Sequence, residues 1–117
     1  MQLAIVEQNK QILRVALKGS LDMEGVQKIG DRFSILTGAN KTNTIVDMSE
    51  VDYIASMGMG MLISASKAST LDQKKLVLLK PQKLVKDTLR TARLEKFILI
   101  ADSLSEAEDV LKENSKR

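Results

Sequence analysis

Residues 44–62 read TIVDMSEVDYIASMGMGML, and this segment carries the clearest sequence signal of the fold class. Residues 44–48 are rich in β-branched and apolar side chains, which predicts a short strand buried on both faces. From Tyr53 onward the chain is predicted to turn into a helix that begins near Ser56 and runs to about Thr70. A buried strand that leads into a helix is the repeating unit of α/β proteins, so the stretch predicts that fold class.

Strands and helices continue to alternate on both sides of this stretch. Upstream, two short alternating segments around a polar break predict a hairpin, and an amphipathic helix follows it. Downstream, an apolar strand ends at Pro81, and a helix, a short strand and a last helix come after it. We therefore predict one α/β domain over residues 1–117, with a mixed sheet of about five strands, about four α-helices and a frayed end at 113–117. The predicted segments are 3–5, 12–17, 26–36, 44–48, 56–70, 75–80, 83–93, 97–100 and 104–111.

The residue composition excludes several classes of function. The 117 residues include no cysteine and no histidine, so the chain has no disulfide, no thiolate site, no Ser-His-Asp triad and no histidine metal site. Aromatic residues make up only 3% and the net charge is only +3, so we expect no direct binding of nucleic acid. We also expect no enzymatic activity, no cofactor and no metal ion.

The same sequence bears on where the protein acts. No apolar run approaches the roughly 20 residues that a membrane helix needs. Residues 1–10 do not combine a basic segment with a following apolar one, as a signal peptide does. We therefore expect no membrane span and a cytoplasmic location.

The serine at the start of the second predicted helix has two interpretations. As a phosphate acceptor, Ser56 would place roughly −1.5 to −2 charges beside free backbone N–H groups, at the positive end of the helix dipole. As a plain N-cap, it would accept a hydrogen bond from the first helical turn and need no other role. Because caps are far commoner than switches, the residue taken alone favours the cap.

Two glycines and three methionines alternate directly after this serine. Gly58 and Gly60 are only a fragment of a nucleotide-binding fingerprint, so we interpret them as positions of close packing. Met57, Met59 and Met61 cannot share one helical face, because residues two apart differ in direction by about 200°. We expect Met61 in the core and some exposed methionine that offers an adaptable binding surface.

Two carboxylates, Asp22 and Asp47, each follow an apolar segment at a predicted strand end. Strand ends are where α/β folds build sites, so this pair raises the hypothesis of an acid–base enzyme or a metal site. Because no third ligand is evident, structural capping is favoured for both. The basic side chains between residues 83 and 93 are interpreted as a solvated helix face, with an acidic partner or lipid headgroups as the alternative.

Three motifs taken in order resemble the STAS domain family, in particular the bacterial anti-sigma factor antagonists. They are GSLD at 19–22, TIVDMSEVDYIASMGMGML at 44–62 and KLVLLKPQKLVKDTLRTARLEKFILIADS at 75–103. The resemblance implies a regulatory binding module and not an enzyme. It implies that the unphosphorylated protein binds an anti-sigma factor that is also a serine kinase, that phosphorylation breaks the complex, and that a phosphatase resets it.

The key family motif is altered in this chain. The family's Asp-Ser-Ser/Thr-Gly corresponds to residues 55–58, so the usual acceptor position holds Met57 and the preceding aspartate is Ala55. Two hypotheses follow: Ser56 is a displaced phosphate acceptor, or the domain is a phosphorylation-independent binding module in a signalling or transport complex. In both cases we predict partner contact through the same set of residues. These are Asp22, Tyr53, Ala55, Ser56, Met57, Gly58, Met59 and Met61.

Overall fold

A computed structural model describes residues 1–113 of the chain. Two strands come first, and four helices then alternate with three further strands. A single 3₁₀ turn, Leu94–Lys96, lies between the third helix and the last strand. The elements are β1 Gln2–Gln8, β2 Ile12–Leu21, α1 Met23–Ala39, β3 Asn43–Ile54, α2 Ser56–Leu71, β4 Leu76–Leu79, α3 Lys83–Thr91, β5 Leu99–Ala101 and α4 Leu104–Lys112.

The five strands form one mixed sheet in the order β1-β2-β3-β4-β5. β1 and β2 pair as an antiparallel hairpin, and each later strand pairs in parallel with the strand before it. Parallel neighbours need a crossover connection, and α1, α2 and α3 provide these connections. The predicted α/β class, the mixed five-stranded sheet and the four α-helices are confirmed.

Both faces of the central strands are buried. Successive side chains of a strand point to opposite faces, so neighbouring residues enter different core clusters. Val46 and Leu78 point into the larger core cluster, where helices α1, α2 and α3 contribute residues such as Phe33. Ile45 and Val77 point the other way into a smaller cluster with α4. The burial on both faces that we predicted for residues 44–48 is therefore confirmed at Ile45 and Val46.

β2 and β3 are longer than predicted, and the extra length positions the candidate site. β2 continues to Leu21 and β3 to Ile54, several residues beyond the predicted ends. Two register shifts interrupt the pairing of these strands, and the second lies at Gly19, whose φ is +114°. Past the first shift, the buried residues of β3 recur every third position, so the sequence there does not show the period of a strand.

The C-terminal part of the chain differs from prediction at its last strand. β5 begins two residues later than predicted, and Phe97 lies outside it with an exposed side chain. We predicted a frayed end at residues 113–117, and residues 114–117 lie outside the part of the chain that the structure describes. No helix within residues 1–113 is long and apolar enough to cross a membrane.

Candidate functional site

The candidate site lies where β2 and β3 end side by side and α1 and α2 begin. In the register of these parallel strands Leu21 is paired with Ile54, and each strand leads directly into a helix. The residues that follow, Asp22 and Ala55, are the N-caps of the two helices. The fold thus brings together the GSLD motif and residues 55–58. We name this region the strand-end surface; it comprises Asp22, Met23, Asp52, Tyr53, Ala55, Ser56 and Met57.

Gly58 is the point at which α2 packs against the end of β2. The backbone N–H of Ala55 donates a hydrogen bond to the carbonyl oxygen of Leu21 at 3.1 Å. A Cβ atom at Gly58 would lie 2.7 Å from Cγ of Leu21 and would overlap the Leu21 carbonyl oxygen, whereas a Cβ atom at Gly60 would meet open space. The close-packing interpretation is therefore confirmed for Gly58 and wrong for Gly60.

Ser56 is the first residue of α2 and not its cap, so the cap interpretation is wrong. The N-cap is Ala55, which has extended φ and ψ of −114° and 177° and makes no side-chain cap hydrogen bond. The first backbone N–H groups of α2 therefore receive no acceptor from the side chain at the cap position. Ser56 itself is exposed, so its hydroxyl is accessible to a modifying enzyme.

The three methionines occupy different environments, as helical geometry predicts. Met61 is buried in the larger core cluster, which confirms its predicted core position. Met59 is half-buried against the same cluster. Met57 is 47% exposed and Tyr53 is 49% exposed, so both present apolar area to solvent on the strand-end surface. Of the predicted contact residues, Gly58 and Met61 are buried and Met59 is half-buried, so they expose less surface to a partner than Met57 and Tyr53.

Two residues of the strand-end surface were not predicted from the sequence. Met23 is the first residue of α1 and is 59% exposed. Asp52 accepts a hydrogen bond from Oγ of Ser20 at 2.8 Å, which ties the end of β2 to the end of β3. A large apolar side chain directly after the N-cap Asp22 was the available signal for Met23. No sequence signal singles out Asp52, because its contact depends on the register of two strands.

The structure separates the two carboxylates of the enzyme hypothesis. Asp22 caps α1 by accepting a hydrogen bond from the backbone N–H of Gly25 at 2.8 Å, which confirms its predicted capping role. Asp47 does not end a strand, because β3 continues to Ile54. It accepts a hydrogen bond from the backbone N–H of Ser49 at 2.9 Å. Seven residues of strand place Asp47 roughly 20 Å from the Asp22 end of the sheet, too far for an acid–base pair.

No group of three histidine, cysteine, aspartate or glutamate residues within residues 1–113 could hold a metal ion. Asp22 does line a cleft of about 230 Å³, together with Ser20, Glu24 and Lys28. This cleft contains one of the two proposed catalytic carboxylates and not the other. The geometry of the described residues therefore gives no support to a catalytic role for the pair.

The basic side chains of α3 are largely balanced within the protein. Lys83 pairs with Asp87 at 2.8 Å, and Lys86 pairs with Asp102 at 2.9 Å. The hydrogen bond from Lys83 lowers the pKa of the Asp87 carboxyl below its usual value. Arg90 lies 3.6 Å from a carboxylate oxygen of Glu95. This pairing supports the interpretation of α3 as a solvated face.

The order of elements, the mixed sheet and the tight start of α2 define a small α/β domain of the STAS class. The family model described as STAS domain matches residues 4–107. The chain belongs to the STAS domain family, and the resemblance in its motifs is confirmed.

Solved structures share this fold at low sequence identity. The anti-sigma factor antagonist SpoIIAA in its unphosphorylated form is similar with a TM-score of 0.72 and 20% identity, over 98% of this chain and 98% of that one. The phosphorylated form of the Bacillus protein SpoIIAA is similar with a TM-score of 0.63 and 21% identity, over 95% of this chain and 98% of that one. An anti-sigma-factor antagonist (STAS) domain protein from Planctomyces limnophilus is similar with a TM-score of 0.80 and 14% identity, over 95% of this chain and 98% of that one. The murine anion transporter Slc26a9 is similar with a TM-score of 0.74 and 16% identity, over 92% of this chain and 19% of that one.

Proposed function

We propose that the protein is a cytoplasmic regulator of the anti-sigma factor antagonist type. In its unphosphorylated state it binds an anti-sigma factor that is also a serine kinase, and it thereby controls sigma-factor-dependent transcription without catalysing a reaction. The observation that carries this proposal is the exposed hydroxyl of Ser56 at the start of α2, beside the position where the family places its phosphate acceptor. The fold shared with SpoIIAA, which has an unphosphorylated and a phosphorylated form, supports it.

The exposed side chains of the strand-end surface supply the contact to the partner. Met23, Tyr53 and Met57 each expose about half of their surface or more, and burying large apolar and aromatic side chains is the main source of affinity in protein interfaces. Methionine adapts its shape to a partner because it is unbranched and flexible. The carboxylates of Asp22 and Asp52 give the same surface a negative charge that complements basic groups on the partner.

Phosphorylation of Ser56 opposes this contact for a physical reason. A phosphate carries roughly −1.5 to −2 charges, and an unpaired charge is costly to bury in an interface. The phosphate would also lie on the surface that holds the carboxylates of Asp22 and Asp52, which repel it. In the free protein, by contrast, the uncapped N–H groups at the start of α2 stabilise the phosphate. A phosphatase then returns the protein to its binding form.

One observation favours a second candidate function. The family's acceptor position holds Met57, whose exposed side chain cannot be phosphorylated. A domain of this kind can act as a phosphorylation-independent binding module in a signalling or transport complex. The murine anion transporter Slc26a9, which contains the same fold, supports the transport alternative.

Phosphate mapping separates the two candidates. We expect that incubation with the cognate anti-sigma factor kinase and ATP places one phosphate on Ser56, and that the Ser56→Ala variant stays unmodified. Ser64→Ala is the matched control, because Ser64 is another exposed serine of α2 and its loss leaves the modification unchanged. The measurement is mass spectrometry of the intact protein and of its peptides. Absence of phosphate on Ser56, or modification of Ser56→Ala elsewhere, contradicts the switch and leaves the binding module.

A further inference from the structure

Within residues 1–113, no strand pairs with the outer edge of β5, the last strand in the sheet order. The backbone N–H of Lys80 donates to the carbonyl oxygen of Ala101 at 2.8 Å, so the Ala101 carbonyl faces the inner side of β5. Backbone groups of successive strand residues point alternately to the two sides of the strand. The N–H and C=O of Ile100 therefore face outward, where an added strand can pair with them.

Two adjoining grooves run along this edge. The first has a volume of about 260 Å³ and lies between α2 and residues 95–99; Lys74, Lys96 and Phe97 are part of its lining. We name it the α2–β5 groove. The second has a volume of about 350 Å³ and lies between α3 and β5. The two grooves adjoin each other, since both are lined by residues on and just before β5.

The α2–β5 groove carries positive charge that no ion pair within residues 1–113 neutralises. Within residues 1–113, no carboxylate lies within 4.0 Å of Nζ of Lys74 or of Lys96. Glu95, the acidic residue of the lining, is matched by Arg90 at 3.6 Å. Lys75 is engaged by carbonyl oxygens at the end of α4. The free charges of the groove therefore complement an acidic ligand.

Large apolar side chains are exposed at the same edge. Phe97 is 66% exposed and Leu99 is 40% exposed, although both belong to or adjoin the sheet. A phenylalanine contributes a large apolar area when a partner covers it, and aromatic residues are enriched in protein interfaces. The neighbouring N–H groups of Ile98 and Asp102 already donate to Leu94 and Glu106, so the main-chain groups of Ile100 are the ones that an added strand can use. The edge thus offers main-chain groups and apolar side chains, as strand addition requires, with unpaired cations beside them.

We propose that the outer edge of β5 and the α2–β5 groove bind an extended acidic segment of a partner protein, which joins the sheet as a sixth strand. Main-chain hydrogen bonds form with Ile100, apolar side chains of the segment pack on Phe97 and Leu99, and its carboxylates pair with Lys74 and Lys96. Alternate side chains of the added strand point to opposite faces, so those on one face enter the groove.

This surface is remote from the strand-end surface. Thr70 lines the α2–β5 groove, and the helix between Ser56 and Thr70 spans about 21 Å at 1.5 Å per residue. Partners can therefore occupy both surfaces at once, and the protein then connects them. The inference does not depend on the proposed function, since no residue of the strand-end surface takes part.

A peptide selection on the full chain tests this proposal. The probe is a phage-displayed library of random peptides of about 12 residues, long enough to pair along an edge strand. We expect enriched peptides to be acidic with alternating apolar residues. Titration of a synthetic copy should shift the backbone amide NMR signals of residues 96–101. Lys96→Glu and Phe97→Ala should each weaken its binding by about fivefold or more. Lys10→Glu makes the same charge change in the exposed β1–β2 turn and should leave binding unchanged.

Several results would overturn the proposal. The selection could enrich no acidic peptides, or the peptide could shift amide NMR signals of the strand-end surface alone. The affinity of the peptide could also be unchanged by Lys96→Glu. Sedimentation velocity that shows a dimer abolished by Phe97→Ala would assign the edge to a second copy of the chain. Co-sedimentation with phosphatidylserine vesicles that Lys96→Glu abolishes, without peptide binding, would assign the surface to an anionic membrane.

Discussion

Gly58→Ala is expected to lower the free energy of unfolding by about 2–3 kcal/mol, the upper range for an overpacked site. The added methyl group would meet the Leu21 carbonyl and lie 2.7 Å from Cγ of Leu21. Leu21 is fully buried, so its side chain has no free space into which to move. The start of α2 must then shift away from β2, which lengthens the hydrogen bond between the N–H of Ala55 and the carbonyl oxygen of Leu21. Urea denaturation followed by circular dichroism measures the effect.

Gly60→Ala is the matched control for this prediction. It makes the same chemical change two residues later in the same helix, where the new Cβ atom meets open space. Alanine in a helix is more favourable than glycine by about 0.5–1 kcal/mol, so we expect the control to stabilise the protein. Equal effects of the two substitutions, or a neutral Gly58→Ala, would show that α2 does not depend on its close approach to Leu21.

Met57→Asp is expected to weaken binding of the anti-sigma factor partner at least tenfold, or about 1.4 kcal/mol. Met57 is an exposed apolar residue of the strand-end surface, and the substitution replaces its apolar contact area with a charge that must lose its water when the contact forms. The variant should remain folded, since an acidic residue in the first turn of a helix is favoured by the helix dipole. Isothermal titration calorimetry measures the affinity, and thermal unfolding checks the fold.

Leu71→Asp controls for the charge itself. Leu71 is exposed at the other end of α2, so this variant carries the same added charge away from the strand-end surface. We expect its affinity for the partner to equal that of the wild type. If both aspartate variants bind equally well, or both bind equally poorly, the contact does not lie at Met57.

The sequence predicted the architecture because the buried segments have clear periods. The β-branched run at residues 44–48 and the helix-period repeats gave the right class, the right number of strands and the right helices. The second half of β3 was missed for a physical reason. Glu50, Asp52 and Tyr53 are exposed while Val51 and Ile54 are buried, and register shifts against β2 produce this period of three. A strand is recognised by its period of two, which this segment lacks.

The candidate site was predicted in part. Ser56 was placed at the right helix end but was predicted as the N-cap, whereas it is the first helical residue, because serine is a better cap than alanine. The cap is set by backbone conformation, and in this chain Ala55 holds the extended φ and ψ of the cap position. Asp52 depends on a hydrogen bond between neighbouring strands, which only the register reveals. Modification of Ser56 and contact at Met57 depend on the kinase and the binding partner, whose structures this sequence does not encode.

The most direct test of the proposed function is a pull-down from the native cell with two baits, the wild-type protein and Met57→Asp. Bound proteins are identified by mass spectrometry. We expect the wild type to recover an anti-sigma factor with a serine-kinase domain, and Met57→Asp to recover about tenfold less of it. Recovery of no such protein by the wild type, or equal recovery by both baits, would contradict a regulator that binds its partner through the strand-end surface.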